Sequence, residues 1–168
     1  HSGPNVHAGE RALKVPKTEL ILGCLHSLIA SMKRVDSSRY RVRLAVLDDH
    51  SEPVCVSGIK DQISKLPFET KFIPLGSRGV GPSFGSSYTY ARDVSEDLIY
   101  FVEDDYLHSP DALPEMLEAQ EIFSLNLGGR EVGIFPVDYP DNYDPRWMRP
   151  SYVVIGPRRH WHTDFSTT

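Results

Sequence analysis

Three consecutive carboxylates, Glu103, Asp104 and Asp105, follow an apolar run over residues 98–102 in the stretch Asp-Leu-Ile-Tyr-Phe-Val-Glu-Asp-Asp-Tyr-Leu-His. Carboxylates this close repel one another and raise each other's pKa unless a cation lies among them. Hard oxygen ligands delivered to the carboxyl end of a strand suit Mg²⁺ or Mn²⁺, which binds through one or two carboxylates and a substrate's phosphates. The simpler alternative is a solvated acidic loop after a buried strand. A second acidic turn bears on the choice: residues 41–47 form a Val- and Leu-rich run that ends in Asp48-Asp49-His50-Ser51.

The elements around these turns follow from apolar spacing. Residues 18–33 carry Leu20, Ile21, Cys24, Leu25, Leu28, Ile29 and Met32 at intervals of three and four, which predicts an amphipathic helix packed on a sheet. Residues 58–66 read as a short helix and residues 71–75 as a short strand. Gly76, Gly79, Gly81 and Gly85 mark a loop before a helix expected over residues 86–94. Their spacing is not that of a phosphate loop, and turn glycines account for them equally well. The acidic strand comes next, then a helix from residue 110 to about 125, and residues 131–137 and 152–155 read as two more strands. Alternating strands and helices predict α/β layering with parallel pairs. In such an open sheet ligands bind in the crevice beyond the strands' carboxyl ends, where both acidic turns are expected. Residues 139–150 read as a Pro-, Tyr- and Asp-rich surface loop, and with no repeat or linker the chain reads as one domain, 1–168.

Composition narrows the partners. A chain of 168 residues, 40% hydrophobic and 24% charged, can bury a sizeable core. A net charge of -5 and a pI near 5.8 give no basic field, so nucleic acid is not the expected ligand, although Arg78, Arg92, Arg158 and Arg159 remain available to individual phosphates. Cys24 and Cys55 sit in or beside apolar segments without metal-ligand spacing, which suggests two reduced, buried thiols and a cytoplasmic setting. No apolar run approaches the roughly 20 residues that span a bilayer, and nothing resembles a signal peptide, so at most peripheral membrane attachment is expected.

The ordered set Asp48, Asp49 and Ser51, then Gly79 to Gly85, then Ala91-Arg92-Asp93, then Glu103-Asp104-Asp105, resembles the family 2 nucleotide-sugar glycosyltransferases of the GT-A fold. In them the corresponding segments read approximately Asp-Asp-x-Ser, Gly, Ala-Arg-Asn and an apolar strand into Asp-x-Asp. The resemblance covers residues 19–117 in order and spacing. It implies a three-layer, open, mostly parallel sheet flanked by helices, of Rossmann-like type. It also implies metal-dependent transfer of a hexose-type sugar from a nucleoside diphosphate sugar, UDP- or GDP-linked, to a carbohydrate or other acceptor.

Carried over by position, the resemblance implies that Asp49 contacts the nucleobase, with Asp48 the near alternative. Arg92 would help to hold the nucleotide and Glu103 would meet the ribose or a metal-bound water. Asp104 would line the same donor site, and Asp105 would coordinate Mn²⁺ or Mg²⁺ on the diphosphate. A turn pair for Asp48-Asp49 and a solvated helix charge for Arg92 are the structural alternatives. The segment Arg158-Arg159-His160-Trp161-His162 falls where such enzymes often bring a His to the metal. His162 or His160 would be that ligand, and Trp161 a platform for the sugar. The catalytic base would be Asp138 or Asp164, unless it lies past residue 168; for Asp138 a turn-capping role before Tyr139-Pro140 stands beside the catalytic one.

Family members usually begin with a strand whose end touches the nucleotide. The opening His1-Ser2-Gly3-Pro4 instead resembles the loop after such a strand. The expectation is therefore a domain lacking its first strand and incomplete at both ends, with a partner or second copy compensating. A sugar-phosphate nucleotidyltransferase would need a Gly-rich, Lys/Arg-containing phosphate loop near its first strand, and none is seen. A receiver-like domain would need a Lys opposite its Asp, and the C-terminal half contains no Lys. A non-catalytic nucleotide-sugar or carbohydrate binding module, keeping the crevice without a base, is the rival from another class.

Overall fold

The computed structural model describes residues 15–76, 78–136, 152–156 and 158–162. The chain divides into two compact units, with the boundary between Pro110 and Asp111.

The first unit is built on a β-α-β crossover. Strand β1 (Arg43–Asp48) and strand β2 (Glu69–Pro74) pair in parallel, with Arg43 opposite Glu69 and Asp48 opposite Pro74. Parallel neighbours cannot be joined by a tight turn, and helix α2 (Pro53–Ser64) makes the return. Helix α1 (Lys17–Met32) precedes them and buries Cys24, Leu28, Ile29 and Met32, the stripe read from its spacing. Cys55, Ile59 and Ile63 of α2 form the centre of the core, with Ile21, Leu22 and Leu25 of α1 and Leu44, Val46 and Phe72 of the sheet packed against them. Gly58 permits the close approach of the two helices, since a Cβ there would fall 2.8 Å from Leu22 Cδ1. Helix α3 (Val80–Val94) completes the regular structure of this unit.

Two helices start earlier than their spacing suggests. Helix α2 begins five residues before the expected Gly58, because Pro53 at its first position has a preset φ and no N–H to leave unsatisfied. Helix α3 begins at Val80 and takes in Gly81 and Gly85, so only Gly76 and Gly79 of the expected loop remain outside it. Gly79, at φ 108°, is the residue that turns the chain into the helix, a conformation open to glycine.

The acidic segment departs from expectation more sharply. Residues 98–102 form no strand. Their backbone makes no hydrogen bond to a described residue, and Leu98, Ile99 and Phe101 are about half exposed. A strand exists only through a hydrogen-bonding neighbour, and among the described residues β1 pairs with β2 alone. Side chains nevertheless pin the start of this segment to β1: Arg41 and Arg43 pair with Glu96, and Arg43 donates to the Val94 carbonyl at 3.3 Å.

The second unit holds helix α4 (Ala112–Asn126) and a hairpin of β3 (Val153–Ile155) and β4 (His160–His162), antiparallel with Val154 opposite Trp161. Strand β4 was not expected. Residues 131–136 of the expected strand 131–137 form no strand, and residue 137 lies outside the described set. The α/β class therefore holds, while the described sheets are each two strands wide rather than one broad, mostly parallel sheet.

Candidate functional site

Asp48 is the last residue of β1 and is 8% exposed. The Ser51 N–H lies 3.3 Å from each of its carboxylate oxygens, so the turn after the strand closes on this side chain. Its own carbonyl accepts from the Leu75 N–H at 2.9 Å, which fixes the ends of β1 and β2 together. Asp49 points elsewhere. Its Oδ1 meets His50 Nδ1 at 3.0 Å and its Oδ2 accepts from the Gly79 N–H at 2.9 Å. The His50 and Gly79 hydrogen bonds, with a smaller contribution from the Arg78 charge, hold the Asp49 carboxyl below the usual range. His50 itself occupies the left-handed region at φ 59°, a strained position of the kind that clusters at functional turns.

Glu103, Asp104 and Asp105 are all exposed, in a turn at Asp104 and Asp105. Two buried thiols feel the charge of this turn. Cys24 of α1 is raised in pKa by burial first, and then by the negative charges of Asp105 and Asp104. Cys55 of α2 is raised by burial, by Asp48 and by Asp104, against the opposing Ser51 hydrogen bond and the Lys17 charge. The charges of Asp48 and Asp104 thus bear on the same sulfur. The sequence contained both turns; their common focus on Cys55 was not readable from spacing.

Arg92 stands apart from this focus. Counting from Val80, it lies about 18 Å along the axis of α3 from the end that Asp49 holds. Its guanidinium pairs with neighbouring Asp93 at 2.9 Å and is 74% exposed.

In the second unit, Arg158 pairs with Glu118 at 3.1 Å and Arg159 with Glu115. Trp161 sets its ring edge-on to Phe123, 6.0 Å between centroids and 87° between planes. His160 is exposed and His162 ends β4. Asp138 and Asp164, the expected bases, lie outside the described residues.

Among the described residues no group of three or more His, Cys, Asp or Glu side chains is placed so that it could hold a metal ion. The three exposed carboxylates make no protein hydrogen bond or ion pair among those described, so their oxygens are open to solvent. A divalent cation here would have to take one or two of these carboxylates and complete its shell with substrate phosphates and water. Sequence reasoning missed His50, the Gly79 amide and a contact between Tyr100 and His108; the alternation of Tyr100 and Phe101 in the extended segment was the available signal for the last.

No helix among the described residues is long and apolar enough to cross a membrane. Comparison with known proteins found no match among curated proteins or solved structures. The family model described as glycosyl transferase family 2 matches residues 17–162, a span that contains both acidic turns and the helices beneath them. With most of its length covered, the chain belongs to glycosyl transferase family 2.

Proposed function

We propose that this chain carries a metal-dependent transfer of a hexose-type sugar from a nucleoside diphosphate sugar to an acceptor hydroxyl. The observation that carries the proposal is the family match over residues 17–162, a span that holds Asp48 at the carboxyl end of β1 and the exposed turn at Glu103, Asp104 and Asp105. Asp48 ends a parallel strand, the edge at which α/β sheets bind ligands. In this reading β1 and β2 belong to a broader GT-A type sheet.

Each residue then has a defined task. Asp49, with Asp48 beside it, receives the nucleobase; its bond to Gly79 keeps the turn rigid while lone pairs remain for a base N–H. Glu103 orients the ribose. Asp105 holds Mn²⁺ or Mg²⁺, and Asp104 lines the same donor site. When bound, the cation offsets the negative charge that develops on the departing diphosphate. Asp138 or Asp164 removes the proton from the acceptor hydroxyl.

Calorimetric titration of UDP and of GDP, with Mn²⁺ and again with EDTA, tests the reading. The expected outcome is binding of one nucleotide that EDTA abolishes, and its loss in Asp105→Ala without change in circular dichroism or Tm. No binding of either nucleotide by the folded protein would overturn it. Binding without transfer to any acceptor or to water would identify the non-catalytic module instead.

A further inference from the structure

The three carboxylates sit in a segment that the backbone does not hold. Residues 98–105 make no backbone hydrogen bond to a described residue, so side chains must set the place of the turn. Two flanking residues do so. Before the turn, Tyr100 Oη lies 2.9 Å from His108 Nε2, and the two rings meet edge to face at 84° with 5.8 Å between centroids. After it, the His108 N–H donates to Ser27 Oγ at 3.0 Å, and the Ser27 hydroxyl donates in turn to the Cys24 carbonyl of α1 at 2.7 Å. Phe101 faces the opposite way, onto Tyr88 of α3 at 4.8 Å. The Tyr100–His108 contact therefore spans the loop that contains Glu103, Asp104 and Asp105, and Ser27 ties that loop to α1.

We propose that Tyr100, His108 and Ser27 form a positioning brace that fixes the acidic turn against α1. The assignment of that turn to donor and metal binding rests on the function proposed above; the brace itself does not. Burial keeps His108 below its ordinary pKa, with the Tyr106 backbone partly opposing, so the ring is neutral at pH 7. The tautomer that fits has the proton on Nδ1 and lets Tyr100 Oη donate to Nε2. A side chain that orients a metal-binding carboxylate without touching the metal typically changes affinity by about 10–100-fold when lost.

The brace has a readout independent of any ligand, because Cys24 senses Asp104 and Asp105. Tyr100→Phe keeps the ring and removes the hydroxyl; His108→Ala removes the acceptor; His108→Gln restores an acceptor. Cysteine titration by NMR, with Asp105→Asn identifying Cys24, is expected to show the Cys24 thiol shifted downward in Tyr100→Phe and His108→Ala, and restored in His108→Gln. Tyr100→Phe that leaves Cys24 at its wild-type titration overturns the brace. With the wild type binding Mn²⁺ and nucleotide, the same two variants are expected to bind about tenfold more weakly at near-native Tm. A wild type that binds neither UDP nor GDP removes the proposed function, and the thiol titration still decides the brace.

Discussion

Asp49 reaches across 30 residues of chain to accept the Gly79 N–H at 2.9 Å, so the first acidic turn and the start of α3 form one unit of structure. A carboxylate at this position also complements the positive end of the helix dipole. The Asp49 carboxyl is lowered from its ordinary value of 3.8, so its contribution to stability is present above that pH and is lost as pH falls through the lower folded value. Asp49→Ala is therefore expected to lower Tm at pH 7, with the gap to wild type closing as pH falls through the lowered folded pKa of the carboxyl. Thermal melts across that range check it; a gap independent of pH would show that the carboxylate contact does not form.

Asp105→Asn removes a charge acting on Cys24 without removing side-chain volume. The thiol is expected to titrate at lower pH than in wild type, remaining above its ordinary value because burial is the larger cause. Cys55, which responds to Asp48 and Asp104 and not to Asp105, is the internal control. Equal shifts in both thiols would contradict the placement of the turn.

Ile59 is 3% exposed at the centre of the α1–α2–sheet core. Ile59→Ala is expected to destabilise the protein by about 2–4 kcal/mol, and Ile59→Val by about 1 kcal/mol, from lost burial and the cavity left behind. Urea unfolding of the two variants measures both values, and a loss under about 0.5 kcal/mol for Ile59→Ala would place this residue outside a packed core.

Gly156 donates its N–H to the Arg159 carbonyl at 3.0 Å as the β3–β4 hairpin turns. A Cβ there would lie 2.5 Å from that carbonyl oxygen and 2.9 Å from Trp161 Nε1. Gly156→Ala is expected to open the hairpin at a cost of about 1–3 kcal/mol and to change the Trp161 environment. Intrinsic fluorescence reports it, although Trp147 also contributes, so a Trp147→Phe background isolates the signal. An unchanged Trp161 spectrum would mean that the hairpin accommodates the methyl group.

Elements defined by local periodicity were legible from the chain. The stripe from Leu20 to Met32 specified α1, and the apolar runs ending at Asp48 and near Leu75 specified β1 and β2. The misread segments had the same apolar character: residues 98–102 and 131–136 look like strands, yet form none. Hydrogen bonding between strands is a property of the neighbour as much as of the segment, and a short apolar run carries no information about its neighbour. Strand β4 failed in the opposite sense, because His160-Trp161-His162 is too short a run to announce a strand and exists through pairing with β3.

The candidate site divides along the same line. By itself the sequence determined the residue types and their order: two clusters of carboxylates following apolar runs, with an arginine-bearing helix between them, enough to indicate metal and phosphate chemistry. Only the tertiary structure decided which groups share a place. It brought the charges of Asp48 and Asp104 to bear on one buried thiol, gave Asp49 to the Gly79 amide, left Arg92 paired with Asp93, and tied the acidic turn to α1 through Tyr100, His108 and Ser27. Charge and hydrogen bonding act through space over a few ångströms, whereas Asp49 and Gly79, and Ser27 and His108, are separated by tens of residues of chain, so folding alone sets the distances on which their chemistry depends.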